Sequence, residues 1–162
     1  MEYSKSKLLA MVLLRFVVGW HFFYEGMVKV LNPAWTAKAY LLDSGGFAKP
    51  FFEWIAKNPS LLQINDFVNA WLLTLVGFFL LLGILVRPAA IAGMVLLALY
   101  YLSHPPFPGI EYFFPSDGNY FIVNKTLIEL FALFVIFSFP TSHIVGFERL
   151  VKKFCTKRKN EP

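Results

Sequence analysis

Cysteine occurs once in the 162 residues, at Cys155, so no disulfide can close within one chain and no Cys-x-x-Cys pair exists for thiol redox chemistry. Histidine occurs three times, at His21, His104 and His143, with no zinc spacing around any of them. A Ser/His/Asp nucleophile set and a phosphate loop are also missing, as are internal repeats and low-complexity tracts. Charge is scarce too. Asp, Glu, Lys and Arg make up 15% of the chain, too little to cover the surface of a soluble domain of this length. The net charge of +5 is no nucleic-acid signal, because Arg149, Lys152, Lys153, Lys157, Arg158 and Lys159 crowd one short tail.

What the chain has instead is apolar length. Hydrophobic residues make up 57%, aromatics 19%, and the mean hydropathy is +0.59. Lipid is the solvent such a composition suits. The opening Lys5 and Lys7 before an apolar run have the look of a signal peptide. Arg15 interrupts that run, however, and no small-x-small cleavage site follows, which predicts a retained first span over 8–31, ended by Asn32-Pro33. The tract 67–103 would be about 55 Å long as one helix, nearly twice the hydrocarbon thickness. It must fold back, and Arg87-Pro88 marks the expected turn between spans 67–86 and 88–104. The run His104-Pro105-Pro106-Phe107-Pro108-Gly109 stops the third span, and a fourth is expected over 120–139. Gly77, Gly83, Ala89, Ala90, Ala92 and Gly93 offer close helix approach.

These spans predict an all-α membrane protein, a four-helix transmembrane bundle in one domain over 1–150, followed by a basic tail over 151–162. Lys5, Lys7, Arg87 and the basic tail fall on one side. The loops on the other side carry Lys38, Lys49 and Lys57 against Asp43, Glu53, Asp66, Glu111 and Asp117, so both termini are expected in the cytoplasm. The long connection 34–66 is broken at Ser44-Gly45-Gly46 and Asn58-Pro59. Its aromatic residues Trp35, Tyr40, Phe47, Phe51, Phe52 and Trp54 suit short interfacial helices in the first outer loop. An aromatic loop packed on the bundle, or a lid over a site between helices, would use the same residues.

Ionisable residues inside two of the spans are the main functional signal, because charge at membrane depth turns toward a partner, a cavity or a ligand. Arg15, His21, Glu25 and Lys29 fall within an arc of about 120° on the first span. Glu25–Lys29 and Lys125–Glu129 are both four residues apart, and the two acids lie at matching depths, each about 9 Å from the outer end of its span. Glu25 and Glu129 are therefore candidate proton-exchanging groups. Arg15, His21, Lys29, Asn69, His104, Asn124 and Lys125 are candidate ligand-binding residues around them. Blander roles stand beside these. Two Glu–Lys pairs would also tie the helices together, Lys29 and Lys125 would reach the interface, and Arg15, about 10 Å from the inner end, would by default snorkel to lipid phosphate. His21 reads as a hydrogen-bonding core residue, and no metal and no covalently bound cofactor are expected.

The run Leu14-Arg15-Phe16-Val17-Val18-Gly19 followed by Glu25-Gly26-x-x-Lys29 resembles the first span of the DoxX family. The stretch 77–83 with Leu85-Val86-Arg87-Pro88-Ala89-Ala90 is similar to that family's second span and tight turn. His104-Pro105-Pro106-Phe107-Pro108-Gly109 and Asn124-Lys125-Thr126-Leu127-Ile128-Glu129 resemble members related to DoxD, the small membrane subunit of an archaeal thiosulfate:quinone oxidoreductase. The resemblance, over about 8–150, implies a small multi-pass protein of a bacterial inner membrane. It implies a subunit of a quinone-linked redox system, with quinone as the ligand and a soluble or membrane redox partner. A dithiol role, attributed to some related groups, does not fit a chain with one cysteine. Whether the chain itself catalyses a reaction stays open, since it carries no redox centre of its own. Two other readings remain beside this one: a binding or transport protein for a small amphiphile or lipid, and a structural anchor for a soluble enzyme. Membrane lipids are expected partners in every case, a homo-oligomer is compatible with each, and nucleic acid is not expected.

Overall fold

A computed structural model describes residues 4–113 and 121–149. Among the described residues these helices follow one another: α1 (Lys5–Val30), α2 (Lys38–Leu42), α3 (Lys49–Lys57), α4 (Pro59–Leu82), α5 (Val86–Ser103) and α6 (Lys125–Ser138). No strand occurs among the described residues. The expected tail over 151–162, with Cys155, and part of the second loop, with Asp117, lie outside them.

Three of these helices, α1, α4 and α5, are long and apolar enough to cross a membrane. Their outward faces have the chemistry lipid requires. Leu9, Leu13, Phe16, Trp20, Tyr24 and Val28 form a helical stripe on α1 that is exposed in the isolated chain, and Phe67, Trp71 and Phe78 do the same on α4. An apolar surface this extensive has no place in water. The molecule is therefore a multi-pass membrane protein. The inward faces supply one core, in which Phe22, Leu73, Val76, Leu80, Leu97 and Leu133 interlock between all four long helices.

The element boundaries depart from the sequence expectation in three places, each for a local reason. First, α4 starts at Pro59, eight residues before the expected span at 67. Asn58 acts as its N-cap, accepting from the backbone N–H of Ser60 and Leu61, and Pro59 occupies the first helical position, where its missing donor costs nothing. Asn58-Pro59 is thus a start signal, and the added turns bring the Asp66 carboxylate to the Ala37 N–H at 3.0 Å. Second, the turn between α4 and α5 lies at 83–85, ahead of Arg87-Pro88. Gly83 ends α4 in the left-handed region at φ 68°, which a glycine adopts without a Cβ penalty, and Pro88 falls within the first turn of α5. Third, α6 begins at Lys125 because the Asn124 side chain caps it, accepting from Leu127 N–H at 2.9 Å. Its 14 residues span about 21 Å, short of the hydrocarbon thickness, where a span over 120–139 was expected.

The closest packing joins α1 to α4. A Cβ on Gly26 would overlap the backbone of Thr74, and one on Gly77 would overlap that of Phe23. Two crossing points of bare backbone therefore fix how α1 lies on α4, as small residues do where helices meet in lipid. Residues 31–58 and 104–113 gather at one end of the bundle, the loop end. The 83–85 turn and residues 139–149 gather at the other, the turn end.

Candidate ligand pocket at the loop end

Glu129 lies one turn into α6 beyond Lys125, on the side facing α1. His21 Nδ1 lies 2.5 Å from Glu129 Oε1, joining α1 to α6. Glu25 and Lys29 follow His21 at successive turns of α1, and all three line a cavity of about 360 Å³ together with Lys125 and Glu129. Phe22, Leu73 and Leu97 give it apolar walls, and Thr126, Tyr40 and Tyr100 add hydroxyls. Five ionisable side chains thus share one space with hydrocarbon surfaces, the mixture that small-molecule sites use to fix and orient a ligand.

Lys29 turns away from Glu25. Its ammonium donates to Asn69 Oδ1 at 3.2 Å and sits over two rings, 5.1 Å from the Trp35 centroid and 5.7 Å from that of Tyr100. Asn69 in turn hydrogen-bonds the Tyr100 hydroxyl. The expected Glu25–Lys29 ion pair is therefore replaced by a Lys29–Asn69–Tyr100 network across α1, α4 and α5, which leaves the Glu25 carboxylate on the cavity.

His104 does not line this cavity. It packs at the end of α5 in a stack of rings, 4.0 Å from Tyr40 and 4.8 Å from Tyr112. Its Nδ1 is 3.0 Å from Ser103 Oγ, and its Nε2 lies 3.6 Å from Asp43 Oδ2. The backbone of Gly45 also donates to Ser103 O at 2.8 Å. These contacts pin α2 and its following turn over the end of α5, and they hold Tyr40, which does line the cavity. Burial raises the Tyr40 hydroxyl far above its ordinary value, so it stays protonated and able to donate. Asn124 is absent from the cavity as well, its side chain being committed to the cap of α6.

Arg15 belongs to the opposite end. Only 5% of it is exposed, and it donates from Nη1 to Thr141 Oγ1 and from Nη2 to Val145 O, each at 2.9 Å. The expected snorkelling to lipid phosphate does not occur, because residues 139–149 fold back beneath the bundle and bring neutral acceptors to the guanidinium. The turn end has a larger cavity of about 470 Å³, reached by Arg87, His143 and Glu148. Arg87 and His143 are exposed there and Glu148 accepts from the Ser142 hydroxyl, so the space is a groove at the surface.

Tyr40, Tyr100 and Thr126 were not among the sequence candidates. Tyr100 had a readable signal, because Gly93, Leu96, Leu97 and Tyr100 follow an i, i+3, i+4, i+7 stripe on the inward face of α5. Tyr40 had none beyond its place in an aromatic loop. Among the described residues no three His, Cys, Asp or Glu side chains come together as a metal site would require.

A model of the DoxX family matches residues 10–105. The match takes in His21, Glu25, Lys29, Asn69 and His104 and ends before α6. No curated protein and no solved structure matches the chain significantly.

Proposed function

The chain belongs to the DoxX family, whose model covers more than half of it, and on that premise we propose that it is an inner-membrane subunit of a quinone-linked redox system. The loop-end cavity is its ligand site. The observation that carries this reading is the cavity itself, where His21–Glu129, Glu25, Lys29 and Lys125 face Phe22, Leu73 and Leu97. Donors, carboxylates and apolar walls in that proportion suit a flat ring with oxygen atoms at its edge, and the residues present therefore fit a quinone.

When bound, a quinone supplies the electron-accepting chemistry that no side chain of this protein offers. The protein's own part is to bind, orient and exchange protons. Lys29, held by Asn69 and by the rings of Trp35 and Tyr100, presents a fixed positive charge. The Tyr40 hydroxyl, which lines the cavity, donates. Glu129 holds or releases a proton at its carboxylate, with His21 Nδ1 as the group that shares it, and Glu25 serves the same role one turn further along α1. The pair His21–Glu129 joins two helices through an imidazole and a carboxylate, two groups that can each carry a proton.

In this reading α6 completes a fourth membrane-crossing element, the loop end faces the periplasm with α2 and α3 at the interface, and both termini lie in the cytoplasm. Residues to about 150 form the domain, with the basic tail beyond it against anionic lipid. Cys155 reports the topology. A membrane-impermeant thiol reagent should label it only after spheroplasts are permeabilised, and labelling of intact spheroplasts would refute the orientation. The function is tested by extracting the purified protein with organic solvent and identifying what it carried. Quinone in a fixed ratio to protein, lost in Glu129→Gln, is the expected result. Phospholipid alone at that ratio would favour the lipid-binding reading instead.

A further inference from the structure

Beneath α2 and α3 lies a second, smaller cavity of about 140 Å³ whose lining includes Ala37, Leu41, Phe52, Ile55, Leu96 and Leu99. Two residues, Tyr40 and Tyr100, line both this space and the polar cavity, so the two compartments adjoin at two tyrosine side chains. Their chemistries are opposite. The polar cavity is lined by one histidine, two lysines and two glutamates, and the second has no His, Lys, Arg, Asp or Glu in its lining. The polar atoms bordering the second cavity are already engaged: Asn69 bonds Lys29 and Tyr100, Ser103 meets His104, and Asn65 donates to Asp66. A small space whose walls are mostly apolar, with most of its polar atoms already paired, favours hydrocarbon over water.

We propose that this cavity is the tail subsite of the ligand site, so that the ligand is a single-tailed amphiphile with its head in the polar cavity and the start of its tail between α2, α3, α4 and α5. The proposal rests on the reading of the polar cavity as a ligand site and adds the class of tail. At roughly 30 Å³ per water-sized group, the volume takes about five such groups, the size of one branched five-carbon unit. A polyprenyl chain begins with such a unit. A two-chain phospholipid brings two acyl chains to its headgroup and does not fit.

The test compares ubiquinone-0, which has no tail, ubiquinone-2, which has two isoprenoid units, and a two-chain phospholipid, by equilibrium binding to the full-length protein in detergent. Wild type should bind ubiquinone-2 at least about tenfold more tightly than ubiquinone-0. Filling the cavity by Ala37→Leu should reduce that ratio to about one while leaving affinity for ubiquinone-0 unchanged. Should Ala37→Leu not fold, Leu99→Trp, at a half-exposed position on the same wall, makes the same comparison. Equal affinities in wild type, or an unchanged ratio in the filled variant, overturns the tail subsite and leaves the polar site standing. Failure of both quinones to bind, or tight binding of the phospholipid in their place, overturns the quinone reading and the tail subsite together.

Discussion

The two ends of this bundle bury charge in different ways. At the turn end a single guanidinium meets two neutral oxygens, Thr141 Oγ1 and Val145 O, in a packed setting that keeps Arg15 almost wholly from solvent. At the loop end three bases and two acids face a cavity of about 360 Å³. Arg15 is held like a bolt, its hydrogen bonds running across more than a hundred residues of chain to close the C-terminal segment under the helices. His21, Glu25, Lys29, Lys125 and Glu129 are arranged around open volume. Polar residues on one stripe of one helix can thus serve unrelated ends, and what separates them is whether packed protein groups or a ligand-sized cavity borders them.

That contrast predicts a graded set of outcomes. The largest loss of stability should come from Arg15→Leu, which leaves the buried Thr141 hydroxyl and the part-buried Val145 carbonyl without their donor. At about 1–3 kcal/mol for each lost partner, thermal unfolding in detergent should show a deficit of about 2–6 kcal/mol. A melting temperature equal to wild type would mean that Arg15 is no structural bolt. Next should come Gly77→Ala, whose added methyl meets the backbone of Phe23 at the α1–α4 crossing. Overpacking of this kind costs about 1–3 kcal/mol, and an unchanged melt would show the crossing to be looser than described.

Glu129→Gln should be milder for the fold and severe for binding. Gln keeps the shape and an acceptor for His21 but loses the charge and the exchangeable proton, so stability should move by less than about 1 kcal/mol while quinone affinity falls about tenfold or more. Equal losses in both would return the His21–Glu129 pair to a purely structural tie. The smallest effect belongs to Glu53→Gln. Glu53 pairs with Lys49 and Lys57 on the outside of α3. The hydrogen bond from Lys57 holds its carboxyl below the usual range, so the pairing is complete above that range and is lost as pH falls through the lowered value. Because both lysine partners are exposed and solvent screens the pairs, the melt of the variant should match wild type at neutral pH and on acidification alike. A clear shift would show that α3 is more tightly coupled to the bundle than its contacts imply.

The sequence made α1, α4 and α5 legible through apolar length, and it brought Glu25, Lys29, Lys125 and Glu129 to one region through helical spacing. It misled where a local signal had two meanings. Asn58-Pro59 read as a break and is a cap followed by a helix start, and Asn124 read as a ligand group and is a cap. Long-range partners were invisible: Arg15 finds its acceptors 126 and 130 residues away, and no local pattern announces that. His21–Glu129 was hidden for the same reason, since depth matching paired acids with lysines and passed over the histidine one turn below. Tyr40 reaches the cavity only because the His104 stack holds α2 down, a consequence of tertiary packing.

The division of labour between the two ends is tested most directly by measuring melting temperature and quinone occupancy side by side in Arg15→Leu and Glu129→Gln. A double dissociation is expected. Arg15→Leu should melt well below wild type, yet its folded fraction should carry quinone at the wild-type ratio. Glu129→Gln should melt close to wild type and carry little or none. If Arg15→Leu loses quinone while fully folded, or Glu129→Gln loses its fold while the surviving fraction stays loaded, the assignment of structure to one end and ligand to the other is wrong.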